Sequence, residues 1–268
     1  MAVSQVGRGR GQALSHLEED ALQTHDIKKE RKDLYAPRPG DFEVVDVPEI
    51  GFLMVDGHGD PNTSVASREA VEALYATSYA IRAVGKKTLG RVHTVGPLEG
   101  LWSAEDLEVF RTRDKSAWDW TMMIAQPDWI TPEMVDHALA AAQEKQLPAL
   151  GLVRFQRYTE GRSAQILHIG SYDDEGPALK RLHDEFLPDN GLAPVGRHHE
   201  IYLSDARKTE PTKLKTILRQ PVTTATRWGR RTASGTAAAT TDDGVADRPS
   251  PFGDRTAVTY VWEEGSSC

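Results

Sequence analysis

Large apolar residues in this chain fall into short runs bounded by glycine, proline and small polar residues, and their period switches between two and about 3.6. Phe42 to Val55 reads as a strand, Gly57 to Asn62 as a turn, Ser64 to Val84 as a helix, and Val92 to Trp102 and Trp118 to Ala125 as strands. The pattern then recurs. Leu152 to Tyr158 and Ser163 to Ile169 read as a hairpin around Glu160-Gly161, Pro177 to Phe186 as a helix, and His198 to Leu203 and Thr216 to Arg219 as strands. Strand-then-glycine turns (Met54-Val55-Asp56-Gly57 and Leu167-His168-Ile169-Gly170) precede both helices, Leu98-Glu99 and His199-Glu200 occupy comparable strands, and both copies close on Gln-Pro. These pieces, in this order, indicate a duplication, with copies over about 40–127 and 150–221. Thr63 or Ser64 can cap the first helix, whose apolar face carries Ala70, Leu74 and Ile81, with Val71, Tyr75 and Tyr79 beside it. A connector helix begins at Thr131-Pro132, with proline at a favoured first position.

The ends lack this periodicity. Residues 1–26, rich in Gly, Arg, Ser and Glu, read as a disordered arm, and residues 223–268 as a low-complexity tail in which Val258 to Trp262 is one short apolar run. The folded domain is then 27–222. A net charge of −8, with both signs interspersed, argues against direct nucleic-acid binding. The single cysteine, Cys268, precludes an intrachain disulfide or a Cys-rich zinc site, and no apolar run approaches the roughly 18 residues of a membrane span, so a cytoplasmic address is expected.

The informative residues are two glutamates inside otherwise apolar, aromatic strands: Glu99 in Leu98-Glu99-Gly100-Leu101-Trp102 and Glu200 in His198-His199-Glu200-Ile201-Tyr202. A desolvated carboxylate costs several kcal/mol unless it is paired or protonated, so such a position points to a site. Strand alternation puts His198, Glu200 and Tyr202 on one face and His199, Ile201 and Leu203 on the other. If helices cover the Ile201 face, Glu200 and Tyr202 line an uncovered cleft, which Glu99 enters from the other copy. Trp118 and Trp120 share a face with Met122 and Ile124, which fits a buried core as well as a stacking wall; Trp102 and Tyr172 sit where a pocket wall is expected, and Tyr79 fits core better than ligand contact. Histidines lack metal-ligand spacing, Asp56 to Asp60 lacks the ending of a phosphate-binding loop, and no serine-nucleophile elbow occurs. Neither a metal nor an organic cofactor is expected.

Lys32-Asp33-Leu34-Tyr35-Ala36-Pro37, Phe52 to Gly57 with Gly59-Asp60-Pro61-Asn62, Pro97 to Trp102, and His198 to Asp205 through Leu218-Arg219-Gln220-Pro221 resemble the GyrI-like small-molecule-binding family. Within it they resemble the stand-alone branch related to cyclopropanoid cyclopropyl hydrolases. The resemblance covers about Ile27 to Val222. It implies an α+β fold, a duplicated strand-helix-strand-strand unit whose pseudo-twofold antiparallel sheet carries one central ligand cleft, with the cleft glutamate falling on Glu200. It further implies opening of a strained cyclopropane by water, or else sequestration of a drug. On that reading Glu200 or Glu99 is the base, Tyr202 or Tyr172 hydrogen-bonds the substrate carbonyl, and Trp102, Trp118, Trp120, Tyr79 and His198 line the ligand. The ligand is then planar, hydrophobic and electrophilic. The segment before His25 is too short for a helix-turn-helix, which disfavours a transcription factor.

Overall fold

The computed structural model describes residues 23–104 and 114–225. The expectations for residues 1–22 of the arm and for the tail from residue 226, including Val258 to Trp262, lie outside these, whereas Thr223 and Thr224, expected to open the tail, belong to the last strand. In chain order the elements are β1 (Gln23–His25), α1 (Ile27–Glu30), α2 (Lys32–Tyr35), β2 (Glu43–His58), α3 (Val65–Leu89), β3 (Arg91–His93), β4 (Leu98–Ser103) and β5 (Asp119–Gln126). The second half has α4 (Pro132–Ala142), β6 (Arg154–Ile169), α5 (Gly176–Arg181), β7 (Leu192–Pro194), β8 (His198–Tyr202) and β9 (Lys215–Thr224). Residues Gln23 to His25 are not part of a free arm, because they pair with β3.

The main sheet runs β6-β2-β5-β4-β8-β9, and β6 pairs again with β9, so six antiparallel strands close into a barrel. Each copy supplies three strands, β2-β5-β4 and β6-β9-β8, and like strands meet at both seams, β2 on β6 and β4 on β8. That arrangement is the pseudo-twofold. The segment expected to be a hairpin is instead one 16-residue strand, β6, in which Gly161 adopts a φ of +75° that favours glycine. Arg154 to Gln165 pair with β2 and Ser163 to Ile169 pair with β9, so the strand passes from one neighbour to the other with both engaged at 163–165. A long bent strand shared between neighbours closes the barrel where a tight turn would have left an edge.

Alternation along these strands creates two cores. Phe52, Met54, Leu101, Met123, Ala125, Ile201 and Ile217 face the barrel interior, where Leu34 and Tyr35 of α2 join them. Leu53, Val55, Trp102, Trp120, Met122 and Ile124 face outward against Ala70, Leu74 and Ile81 of α3. The α3 helix starts at Ser64, whose hydroxyl accepts the Ser67 N–H, and stops at Gly90 in the left-handed region. On the second copy, Leu182 and Leu187, in the π-helical turn after α5 and the short helix beyond it, cover Ala164 and Val222. The Ile201 face is therefore covered by closure of the sheet, and the helices flank the Glu200 face, the reverse of the arrangement expected.

Trp120 lies flat over Gly57: a Cβ there would come within 2.1 Å of the indole ring. Gly57→Ala should therefore destabilise the fold by about 1–3 kcal/mol through overpacking, and by less in a Trp120→Leu background. Urea unfolding of the single and double variants measures both.

Candidate functional site

The outward face of the β4–β8 seam lies between the two helical layers. There Gly100 pairs directly with Glu200, Trp102 with His198, and Leu98 with Tyr202. A glycine opposite Glu200 leaves room above the sheet, and the Trp102 indole takes it: a Cβ on Gly100 would stand 3.1 Å from the indole nitrogen. The Glu200 side chain retains 14% of its accessibility, and its Oε2 accepts the Tyr202 hydroxyl at 2.7 Å. His198 Nε2 stands 3.8 Å from Oε1. Burial raises the Glu200 pKa above the ordinary carboxylate value, while the Tyr202 hydroxyl, the His199 charge and, more weakly, Lys115 pull it back.

Rings surround this carboxyl group. Tyr172, in a short turn after β6, meets Tyr202 edge-on at 5.5 Å between centroids, and Trp118 meets Trp102 edge-on at 5.6 Å. Burial and the nearby Glu175 and Glu200 charges push the Tyr172 hydroxyl up to about 12, so it is a proton-bearing donor at neutral pH. The structure thus brings together Glu200, Tyr202, Tyr172, Trp102, Trp118 and His198. Trp120 pairs across the sheet with Trp102 but is 2% exposed and belongs to the core over Gly57. Tyr79 projects from α3 with 57% exposure.

Glu99 goes the other way. It pairs with Ile201, so it points into the barrel, where Oε1 accepts the Tyr35 hydroxyl at 2.9 Å and Oε2 lies 3.0 Å from His199 Nε2. Its expected place in the cleft is taken by Gly100, because a one-residue offset along a strand reverses the face. The matching of Leu98-Glu99 to His199-Glu200 was one residue out of step. Residues that sequence reasoning passed over include Lys115, whose Nζ stands 5.8 Å over the Trp118 ring, and the buried Glu160 and Arg219. The Lys115-to-Trp118 spacing was a visible signal; the other two carried none, since each pairs across strands distant in sequence. Among the described residues, no group of three or more His, Cys, Asp or Glu is arranged to hold a metal ion, and no helix is long and apolar enough to cross a membrane.

A closed α+β barrel of two matching halves, with one acidic, aromatic seam on its pseudo-twofold, defines a small-molecule-binding architecture. The chain belongs to the GyrI-like family: the model for the GyrI-like small molecule binding domain matches residues 40–223. Among solved structures, an uncharacterized conserved protein from Listeria innocua is 38% identical, with a TM-score of 0.69 over 74% of this chain and 100% of its own. A hydrolase from Listeria innocua is 37% identical, with a TM-score of 0.65 over 74% of this chain and 100% of its own. No curated protein matches the chain.

Burial lowers His198 to about 4, helped by the His199 charge, and lowers His183 to about 3. Both titrate near 6.5 when unfolded, so between 6.5 and about 4 the unfolded chain binds more protons and native stability falls with pH. That contribution is fully present above 6.5 and lost as pH drops through the folded values. Urea unfolding at about pH 7 and pH 4.5 should show this loss, and His198→Asn should reduce it.

Proposed function

We propose that this protein binds a planar, hydrophobic, electrophilic small molecule at the β4–β8 seam and hydrolyses a strained cyclopropane of the kind carried by DNA-alkylating natural products, a detoxifying, self-protective role in the cytoplasm. The observation that carries the reading is a mostly buried carboxyl group, Glu200, bonded by the Tyr202 hydroxyl, with Tyr172 edge-on to Tyr202 and the Trp102–Trp118 pair on the same seam. The likeness to a hydrolase from Listeria innocua at 37% identity favours catalysis over binding alone.

The chemistry follows from charge. A cyclopropane sharing one ring carbon with a cyclohexadienone and conjugated with its carbonyl opens when water attacks the methylene carbon: a C–O bond forms, the strained C–C bond breaks, and that electron pair flows to the carbonyl oxygen as the ring aromatises. Glu200 takes the proton from the attacking water, and burial makes it a stronger base than an ordinary carboxylate. The Tyr202 hydroxyl donates to Glu200, so it orients the base. That leaves Tyr172 as the donor to the developing oxyanion, where one such hydrogen bond contributes on the order of 10²–10³ in rate. The phenolate then collects a proton from solvent, and the sum is addition of one water. Trp102 and Trp118 hold the flat ring system and exclude bulk water, and Lys115 above Trp118 adds positive potential at the rim. No step requires a metal or an organic cofactor.

The second reading is a sequestering protein with the same ligand and no turnover. Incubation with a cyclopropane-bearing alkylator, followed by mass spectrometry of the recovered ligand, separates the two, because a sequestering protein returns it unhydrated. Glu200→Gln should retain binding and lose hydrolysis by at least about 10²-fold, and Tyr172→Phe should lower turnover with little change in binding. Unchanged turnover in Glu200→Gln removes the proposed base.

A further inference from the structure

Behind the seam, inside the barrel, lies a cluster of charge that the chemistry above does not use. His199 precedes Glu200 on β8, so its ring points to the opposite face. There Nε2 stands 3.0 Å from Glu99 Oε2 and Nδ1 stands 3.0 Å from Glu160 Oε2, with all three side chains at most 2% exposed. A neutral imidazole has one donor and one acceptor, so a ring with a carboxylate oxygen at each nitrogen is satisfied only as the doubly protonated cation. Each carboxylate is held in turn: Arg219 donates to Glu160, and the Tyr35 hydroxyl donates to Glu99. Glu200 is held by Tyr202 from its own strand and by Trp102, while its directly paired neighbours, Gly100 and Leu218, offer it no charged partner.

We infer that His199 is the positioning residue for Glu200: clamped between Glu99 and Glu160, it fixes the roll of β8, aims the carboxyl group at the seam and supplies a cation one residue away. The inference rests on Glu200 being the working carboxylate. Burial opposes a charge on His199, but Glu160 and Glu99 outweigh it and the ring's proton affinity is raised. The groups facing His199 are Glu99 from β4, Glu160 from β6 and, through them, Tyr35 and Arg219. Those acting on Glu200 are Tyr202, His198 and His199 from its own strand, Trp102 from β4 and Lys115 before β5, with Tyr172 and Glu175 beyond Tyr202.

The test reads two titrations in the ligand-free protein by NMR, with histidine ring nitrogens and glutamate carboxyl carbons labelled. His199 should carry two N–H protons at about pH 7.5, where an ordinary histidine is neutral, and the Glu200 midpoint should move upward by about half a pH unit or more in His199→Gln. His199→Lys, which keeps the cation, should bring that midpoint back toward the wild-type value. A neutral wild-type ring at about pH 7.5 overturns the inference, as does an unmoved Glu200 midpoint in folded His199→Gln. A merely structural histidine would lower the melting temperature of the variant and leave the Glu200 titration in place. Should both variants fail to fold, the wild-type ring decides alone: imidazolium supports the inference and a neutral ring overturns it. No substrate enters these measurements, so their failure is distinct from a failure of the hydrolysis reading, which turnover by Glu200→Gln tests separately.

Discussion

The pairing of buried charges inside the barrel is the interaction on which the rest of this structure depends. Glu99, Glu160, His199 and Arg219 are each at most 2% exposed, and as isolated ions each would cost several kcal/mol to bury. They are tolerable because every one faces a partner. His199 bridges the two carboxylates, Arg219 reaches Glu160, and the Arg219 guanidinium also donates to Gln165 and to the Leu34 carbonyl. Burial favours a neutral Glu160, but the His199 and Arg219 charges overcome it and hold the pKa below the usual carboxylate range. Removing one member would strand the others, a loss of about 3–5 kcal/mol, whereas the intact set ties β4, β6, β8 and β9 to α2.

That network also explains why the outer face is free for chemistry. The interior needs one residue in two along each strand, and in β8 those are His199 and Ile201. Their neighbours, Glu200 and Tyr202, then have no choice but the outer face. Because α3 covers one copy and the helical segment after β6 covers the other, the seam between like strands is left with the aromatic lining and the carboxyl group. The asymmetry between the copies matters as much as their likeness: at the seam, glutamate stands in one strand and glycine opposite, so one acid serves the site and the Trp102 indole can lie against it over Gly100.

Much of this was legible in the residues. Most of the order of strands and helices, the α3 cap at Ser64, and the association of Glu200 with Tyr202 follow from periodicity and alternation, which are local properties, whereas the run from Val92 to Trp102, expected as one strand, divides into β3 and β4 in separate sheets. Glu160-Gly161 between two apolar runs carries the same local signal for a turn as for a bend, and barrel closure makes it a curve within one strand. Glu99 resembles Glu200 in its local setting, which points both to the cleft, yet a single step of register carries a side chain through the sheet.

The sequence alone determined which residues could be strand, helix or turn and which strands carried an unexplained carboxylate, because those depend on neighbours a few positions away. Only the tertiary structure decided which face of each strand became the barrel interior. That choice hangs on pairings between residues some 40 to 100 positions apart, such as Glu160 with His199 and Glu99 with His199. A charge in the sequence has no partner until the chain closes, and here closure sent one strand glutamate to a buried ion pair and left the other facing the seam.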